Sequence, residues 1–142
     1  IYQFGEERYS RRIARRIVET RAREPVRTAN QLSALVRSCV PRGRYGIDPA
    51  TRPFQAIRIA VNDELGALDR ALACIPDCLN SGGRLAIISF HSLEDRLVKK
   101  AFRNSAEWGK ELTRKPVVAS AAEISVNPRA RSAKLRVAQR NV

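Results

Sequence analysis

Three residue types that carry much of protein chemistry are scarce here: one histidine, three cysteines and one tryptophan in 142 residues, with aromatics at 6%. With a single histidine and no tight carboxylate cluster, a zinc site lacks ligands. The cysteines, Cys39, Cys74 and Cys78, are odd in number and lie in helical-looking contexts, which argues against a disulfide framework. The expectation is reduced, buried thiols in a cytoplasmic protein. Sparse aromatics exclude a stacking platform of the single-strand-binding kind. No run approaches the ~20 apolar residues of a membrane span, and the first eight residues carry no signal-peptide pattern. Acids are scarce too. Asp and Glu total 14 against 27 Lys and Arg, a formal charge of +13. That excess favours a polyanionic partner, nucleic acid above all.

What is present suffices for about one folded domain with a core, since 44% of residues are hydrophobic. The chain opens without Met, in mid-pattern, and reads as a piece of something longer. Its central stretch is Leu85–Ser89, a short apolar run announced by Ser81-Gly82-Gly83, which predicts a buried strand. His91 follows, and Ser92 is expected to cap a helix carrying Glu94 and Asp95 in its first turn. Leu93, Leu97, Val98 and Phe102 give that helix one apolar face. The fold class is therefore α/β, with a polar strand end in the place where open sheets collect ligands.

Ahead of this unit the pattern is helical. Tyr9, Ile13, Ile17 and Val18 line one side of a helix whose remainder is Arg8, Arg11, Arg12, Arg15, Arg16 and Arg21. Guanidinium density of that kind suits phosphate. Pro25 ends the segment, Thr28 begins a second helix that stops before Pro41, and residues 42–49 form a basic loop that places a boundary near 42–50. A long apolar helix from Thr51 follows, punctuated by Arg52, Arg58, Asn62 and Glu64, and is expected to kink or break at Pro76. After the central unit, 112–118 reads as a short basic strand, Ser120 as the cap of a short helix, and 132–140 as a strand with Lys134, Arg136 and Arg140 on a basic face. Two such strands are expected to pair antiparallel at the sheet edge.

His91, Glu94 and Asp95 could serve acid–base chemistry, and Ser89 or Ser92 could be a nucleophile. A nucleophile elbow needs Gly-x-Ser-x-Gly, and here Phe90 and Leu93 flank instead, which argues against a hydrolase. There is no P-loop, and Gly82-Gly83 precedes the strand rather than following it, so it cannot cradle cofactor phosphates in the usual way.

The stretch Gly82-Gly83-Arg84-Leu85 followed by Ile88-Ser89-Phe90-His91-Ser92-Leu93-Glu94-Asp95-Arg96 resembles the signature of the bacterial small-subunit ribosomal RNA (cytosine-N4) methyltransferases. Further blocks fit in order. Phe4-Gly5-Glu6-Glu7-Arg8 is similar to the family's helical insert, Arg58-Ile59-Ala60-Val61-Asn62 to the return into its catalytic domain, and Asn127–Arg136 to its C-terminal end. The resemblance implies the C-terminal part of a Rossmann-like methyltransferase sheet (49–142) preceded by part of an all-α insert (1–48). It implies S-adenosylmethionine as cofactor, bound by residues upstream of this chain, and 16S RNA of the small ribosomal subunit as partner in the cytoplasm. The chain alone would then be inactive. His91, Ser92, Glu94 and Asp95 match the signature, as substrate-side or structural residues. Arg8, Arg11, Arg12, Arg15, Arg16, Arg52, Arg58, Arg96, Lys134 and Arg136 are the candidate RNA contacts. A non-catalytic basic RNA-binding module is the alternative, and no metal is expected.

Overall fold

The structure, a computed structural model, describes residues 1–41 and 48–142. The chain forms two compact units, Ile1–Glu64 and Leu65–Val142. Most of the basic loop expected at 42–49 lies outside the described residues.

The first unit is helical: α1 (Tyr2–Gly5), α2 (Ser10–Arg21), α3 (Ala29–Cys39) and α4 (Thr51–Asn62). Arg8 precedes α2 rather than lying in it. Helix α3 starts where Thr28 predicts, at a reciprocal capping box: Thr28 Oγ1 accepts the Gln31 N–H at 3.2 Å, and Gln31 Oε1 accepts the Thr28 N–H at 3.0 Å. Ile13, Val36, Cys39 and Ala50 form the core, with Tyr9, Ile17, Leu32 and Phe54 packed on it. Gly5 brings α1 onto α4. A Cβ there would lie 2.7 Å from the Arg52 carbonyl oxygen, so a side chain would force the helices apart.

The long helix expected from Thr51 is two helices. The break falls at Asp63, whose φ of 49° ends α4 in the left-handed region, and α5 (Glu64–Cys78) runs through Pro76. Proline near a helix end removes a single ladder bond, which the last turn tolerates. Cys74 and Cys78 are exposed on α5, against expectation, and Cys39 alone is buried. Their face of α5 carries no core residue, whereas Leu72 and Pro76 point inward.

In the second unit, β1 (Arg84–Ser89) leads into α6 (Ser92–Arg103), and β2 (Gly109–Glu111), β3 (Val117–Val118), α7 (Ala121–Val126) and β4 (Lys134–Arg140) complete the sheet layer. The sheet is small and antiparallel. β4 lies in its middle, paired with β1 on one side and with β2 and β3 on the other. The late strands do pair antiparallel at the sheet edge, where β2 and β3 lie against β4, and β4 itself is central.

Of the strand expected at 112–118 only Val117–Val118 forms, with β2 lying just ahead of that range, and the reason is visible. Leu112 and Thr113 both donate to the Val137 carbonyl, at 2.9 and 3.3 Å, while Thr113 Oγ1 takes the Val137 N–H at 2.8 Å. Two residues oppose one, as in a bulge, and a side chain replaces the ladder bond. Pro116, which has no N–H to give, follows.

Leu72, Val98, Phe102 and Ala138 are the core of this unit, with Leu68, Leu85, Ile87 and Trp108 around them. Burying Phe102 or Val98, each 1% exposed, is worth about 1.5–3 kcal/mol. The alternation of β4 is as expected, yet its faces are reversed. Arg136 and Ala138 point into the packed side and are 3% and 0% exposed, whereas Leu135 and Val137 are only half-buried. The basic face of β4 is an inner face.

Candidate functional site

The site is the turn between β1 and α6. Its cap is His91, not Ser92. His91 Nδ1 accepts the Glu94 N–H at 3.3 Å, and Glu94 Oε2 reaches back to the Phe90 and His91 N–H groups at 2.8 and 3.2 Å. This is a capping box with an imidazole in place of the hydroxyl. The longer glutamate side chain decides the register. Were Ser92 the cap, the reciprocal residue of a capping box would be Asp95, which is bound elsewhere. Ser92 becomes the first helical residue and is exposed.

Because Nδ1 accepts, the neutral ring carries its proton on Nε2. Nε2 is buried, lies 3.3 Å from Glu94 Oε1, and is out of alignment for a hydrogen bond with it. His91 is thus a fixed tautomer with its second nitrogen unsatisfied. An unmet buried donor costs free energy and marks a place worth explaining.

Asp95 faces the sheet. Its Oδ1 accepts from Arg136 Nε at 2.7 Å and its Oδ2 from Arg136 Nη2 at 3.3 Å, while Lys134 Nζ lies 3.6 Å from Oδ2. Arg136 Nη1 stands 3.6 Å from Glu111 Oε1, an ion pair in which neither atom has a hydrogen-bond partner among the described residues. Two cations and two anions from α6, β2 and β4 therefore neutralise one another. The Arg136 hydrogen bond holds the Asp95 carboxyl below the ordinary aspartate range, against the opposing effect of burial and with help from the charges of Arg136 and Lys134. Such a group is a poor acid at neutral pH and a good clamp.

Of the four residues singled out on the signature, His91 and Glu94 meet, Asp95 points away into the ion network, and Ser92 heads the helix. Glu111 and Arg140 were not among the candidates. Arg140 Nη1 donates to the Pro76 and Leu79 carbonyls, both at 2.6 Å, and so closes the end of α5. Its signal would have been a cation on the inner face of a central strand, legible only with the strand order in hand.

The basic candidates divide. In the first unit Arg11, Arg12, Arg15 and Arg16 are exposed along α2. Arg12, Arg15 and Arg16 line an open concavity of about 320 Å³ with Glu19, Ser38 and Cys39. Arg16 lies 3.9 Å from Glu19. Arg8 stacks over Tyr9 at 4.7 Å. Arg52 is exposed and reaches the Glu6 carbonyl at 3.5 Å. Arg58 holds Glu64 with both arms of its fork, at 2.8 and 3.0 Å. In the second unit Arg96 is exposed on α6 and the Lys134 side chain is 39% exposed, while Arg136 is enclosed.

The chain belongs to the MraW methylase family, which it matches over residues 1–141. It is 58% identical to the Rhodopirellula baltica protein named ribosomal RNA small subunit methyltransferase H, over 99% of this chain and 43% of that protein. Proteins of the same name from Wolbachia pipientis and Synechococcus elongatus are 52% and 58% identical, over 99% of this chain and 49% and 47% of theirs. The chain thus spans less than half the length of these curated relatives. Among the described residues no helix is long and apolar enough to cross a membrane.

Proposed function

We propose that the whole protein transfers a methyl group from S-adenosylmethionine to the N4 amine of a cytosine in the decoding centre of 16S ribosomal RNA. In this reading it works in the cytoplasm on the small ribosomal subunit. The observation that carries the reading is the family match along essentially the whole chain, together with relatives named for this class of reaction. Residues 1–48 then supply part of a helical insert. Residues 49–142 supply the C-terminal part of a Rossmann-like catalytic domain.

The residues of this chain do not by themselves fit the cofactor. Gly82-Gly83 enters β1 instead of leaving it. At the strand end, the Phe90 and His91 amides are taken by Glu94 and the Glu94 amide by His91. Asp95 is bound to Arg136. The cofactor site is accordingly proposed to lie in the rest of the protein, and the isolated chain to be inactive. Within that scheme His91 and Glu94 hold the strand-to-helix turn rigid, and positioning of this kind is a large part of catalysis when two reactants must be aligned. Arg11, Arg12, Arg15 and Arg16 are the best-placed phosphate contacts. Arg58 and Arg136 are already engaged with carboxylates.

The test uses the whole protein carrying this chain, small ribosomal subunits, and S-adenosylmethionine labelled in its methyl group. Digested RNA should yield labelled N4-methylcytidine. Label in another nucleoside, or none with RNA still bound, would replace this reading with another target or with a binding module. His91→Ala should slow transfer about 10- to 100-fold, the scale of a misplaced reacting group. His91→Asn, which can still cap, should recover most of the rate if positioning is the role. A His91→Ala enzyme as fast as wild type would remove His91 from the mechanism.

A further inference from the structure

Helix α6 sorts its charges by side. Its acids turn inward, Glu94 onto the Phe90 and His91 amides and Asp95 onto Arg136. Val98 and Phe102 are buried on that same inner side. The exposed residues of α6 are Ser92, Arg96, Lys100 and Arg103. Arg96, Lys100 and Arg103 stand at i, i+4 and i+7, which makes them one stripe along the outer face. Half-buried Lys99 lies beside it. Among the described residues neither Lys100 nor Arg103 is paired with an acid.

Helix electrostatics account for part of this stripe. Lys100 and Arg103 lie in the last turn, where cations meet the negative end of the helix dipole. Arg96 stands nearer the middle, where that effect has faded, so the dipole does not explain the whole row. A membrane surface is a poor match as well. An interfacial helix turns an apolar face to lipid, whereas no exposed residue of α6 is apolar and its apolar side packs into the core of its own unit. The outer face therefore attracts by charge alone, which suits the phosphates of a nucleic acid. At ~1.5 Å of rise per residue the stripe is about 10 Å long, enough for about three phosphates of one strand at ~3.4 Å of duplex axis each.

We infer that the outer face of α6 is a phosphate-binding surface, on which Arg96, Lys100 and Arg103 receive successive phosphates of the RNA substrate and lead its backbone to the turn between β1 and α6. This deepens the proposed function and rests on it, because it takes RNA as the ligand. It adds to the arginines of α2 a second set of cations, carried by the unit that holds the signature turn.

The test uses the whole protein carrying this chain and an end-labelled RNA hairpin with the decoding-centre sequence of 16S RNA, titrated by fluorescence anisotropy at several salt concentrations. Lys100→Gln combined with Arg103→Gln removes two charges and keeps good helix formers in place. It should weaken binding about 10- to 100-fold at ~0.1 M salt, the counterion release of two phosphate contacts. The slope of log affinity against log salt should fall by about two. Exchanging the pair, Lys100→Arg with Arg103→Lys, keeps both charges and should bind with the affinity and slope of wild type. If the glutamine pair binds as wild type does, the α6 surface is wrong while RNA binding stands. The surface is equally wrong if the exchanged pair is weakened as much as the glutamine pair, because the loss then follows damage to the helix and not charge. If wild type binds no hairpin even at low salt, the proposed RNA substrate falls and this surface falls with it.

Discussion

Helix α2 carries Arg11, Arg12, Arg15, Arg16 and Arg21, and strand β4 carries Lys134, Arg136 and Arg140, yet the two sets of cations are used in opposite ways. On α2 only Ser10 and Ile13 are buried, and the arginines stand in water around the rest of the circumference. On β4 the alternation of a central strand sends every second side chain against α6, so Arg136 must be neutralised where it lies. Asp95 comes from one element and Glu111 from another to do so. Charge counted along a sequence therefore measures how many cations exist, not how many are available. What decides availability is whether the element is covered, and by what. The first unit spends its arginines on the surface, where polyanions can reach them. The second builds with them.

The comparison breaks most readily at Arg136. Arg136→Met removes the cation from a site 3% exposed, takes away the ion partner of Glu111 and leaves Asp95 with Lys134 alone. Loss of one partner from a buried pair costs about 3–5 kcal/mol. Trp108 packs against the core of the second unit and is the lone tryptophan, so its emission in urea reports this unit. The midpoint should fall steeply. An unchanged midpoint would mean that the network contributes nothing and that Arg136 is as dispensable as a surface arginine.

A smaller effect lies in the pH dependence. The Asp95 carboxyl is held below its ordinary value, chiefly by the Arg136 hydrogen bond, so the folded state holds its proton less tightly than the unfolded chain does. The stabilisation is then fully present above the unfolded value of about 4 and is lost as the pH falls through the lower, folded one. Hydrogen bonds to charged groups contribute about 1.5–3 kcal/mol. Wild type should lose roughly that much between pH 6 and acid. Asp95→Asn should begin less stable and show a flatter acid limb in the same Trp108 measurement. Parallel limbs in the two proteins would place the acid sensitivity elsewhere.

These points also mark how far the sequence could be read. The run Leu85–Ser89 and the heptad-like spacing of Leu93, Leu97, Val98 and Phe102 are local patterns, and strand and helix appear where they predict, although the strand, expected to be buried, is exposed on its Ile88 face. Thr28 with Gln31 is a local cap and is found as such. The alternation of 134–140 is local too, but which of its faces is inside depends on α6 and on residues far away in sequence. Apolar Leu135 and Val137 were the natural choice for the core, and the paired arginine took that side instead. The break at Asp63 was hidden because an aspartate in the left-handed region has no strong sequence mark, while Pro76 has one and does little. At the candidate site the signature residues were visible, but the division of labour among them was not. His91 rather than Ser92 is the cap, with Glu94 as its reciprocal partner, and an imidazole in that role has no strong sequence mark.

The smallest stability effect, and the sharpest contrast with Arg136, belongs to Arg15. It is exposed on α2 and lines the open concavity with Arg12 and Arg16. Alanine is the best helix former, so Arg15→Ala should leave stability within about 0.5 kcal/mol of wild type. If α2 meets phosphate, the same change should weaken RNA binding without regard to sequence. It should also lower the slope of log affinity against log salt by about one contact. Thermal melting and a salt titration with one RNA decide it. A variant that melts early would show α2 arginines building structure, as β4 arginines do, and the contrast between the units would be lost. A variant that keeps both stability and salt slope would move the polyanion surface off α2.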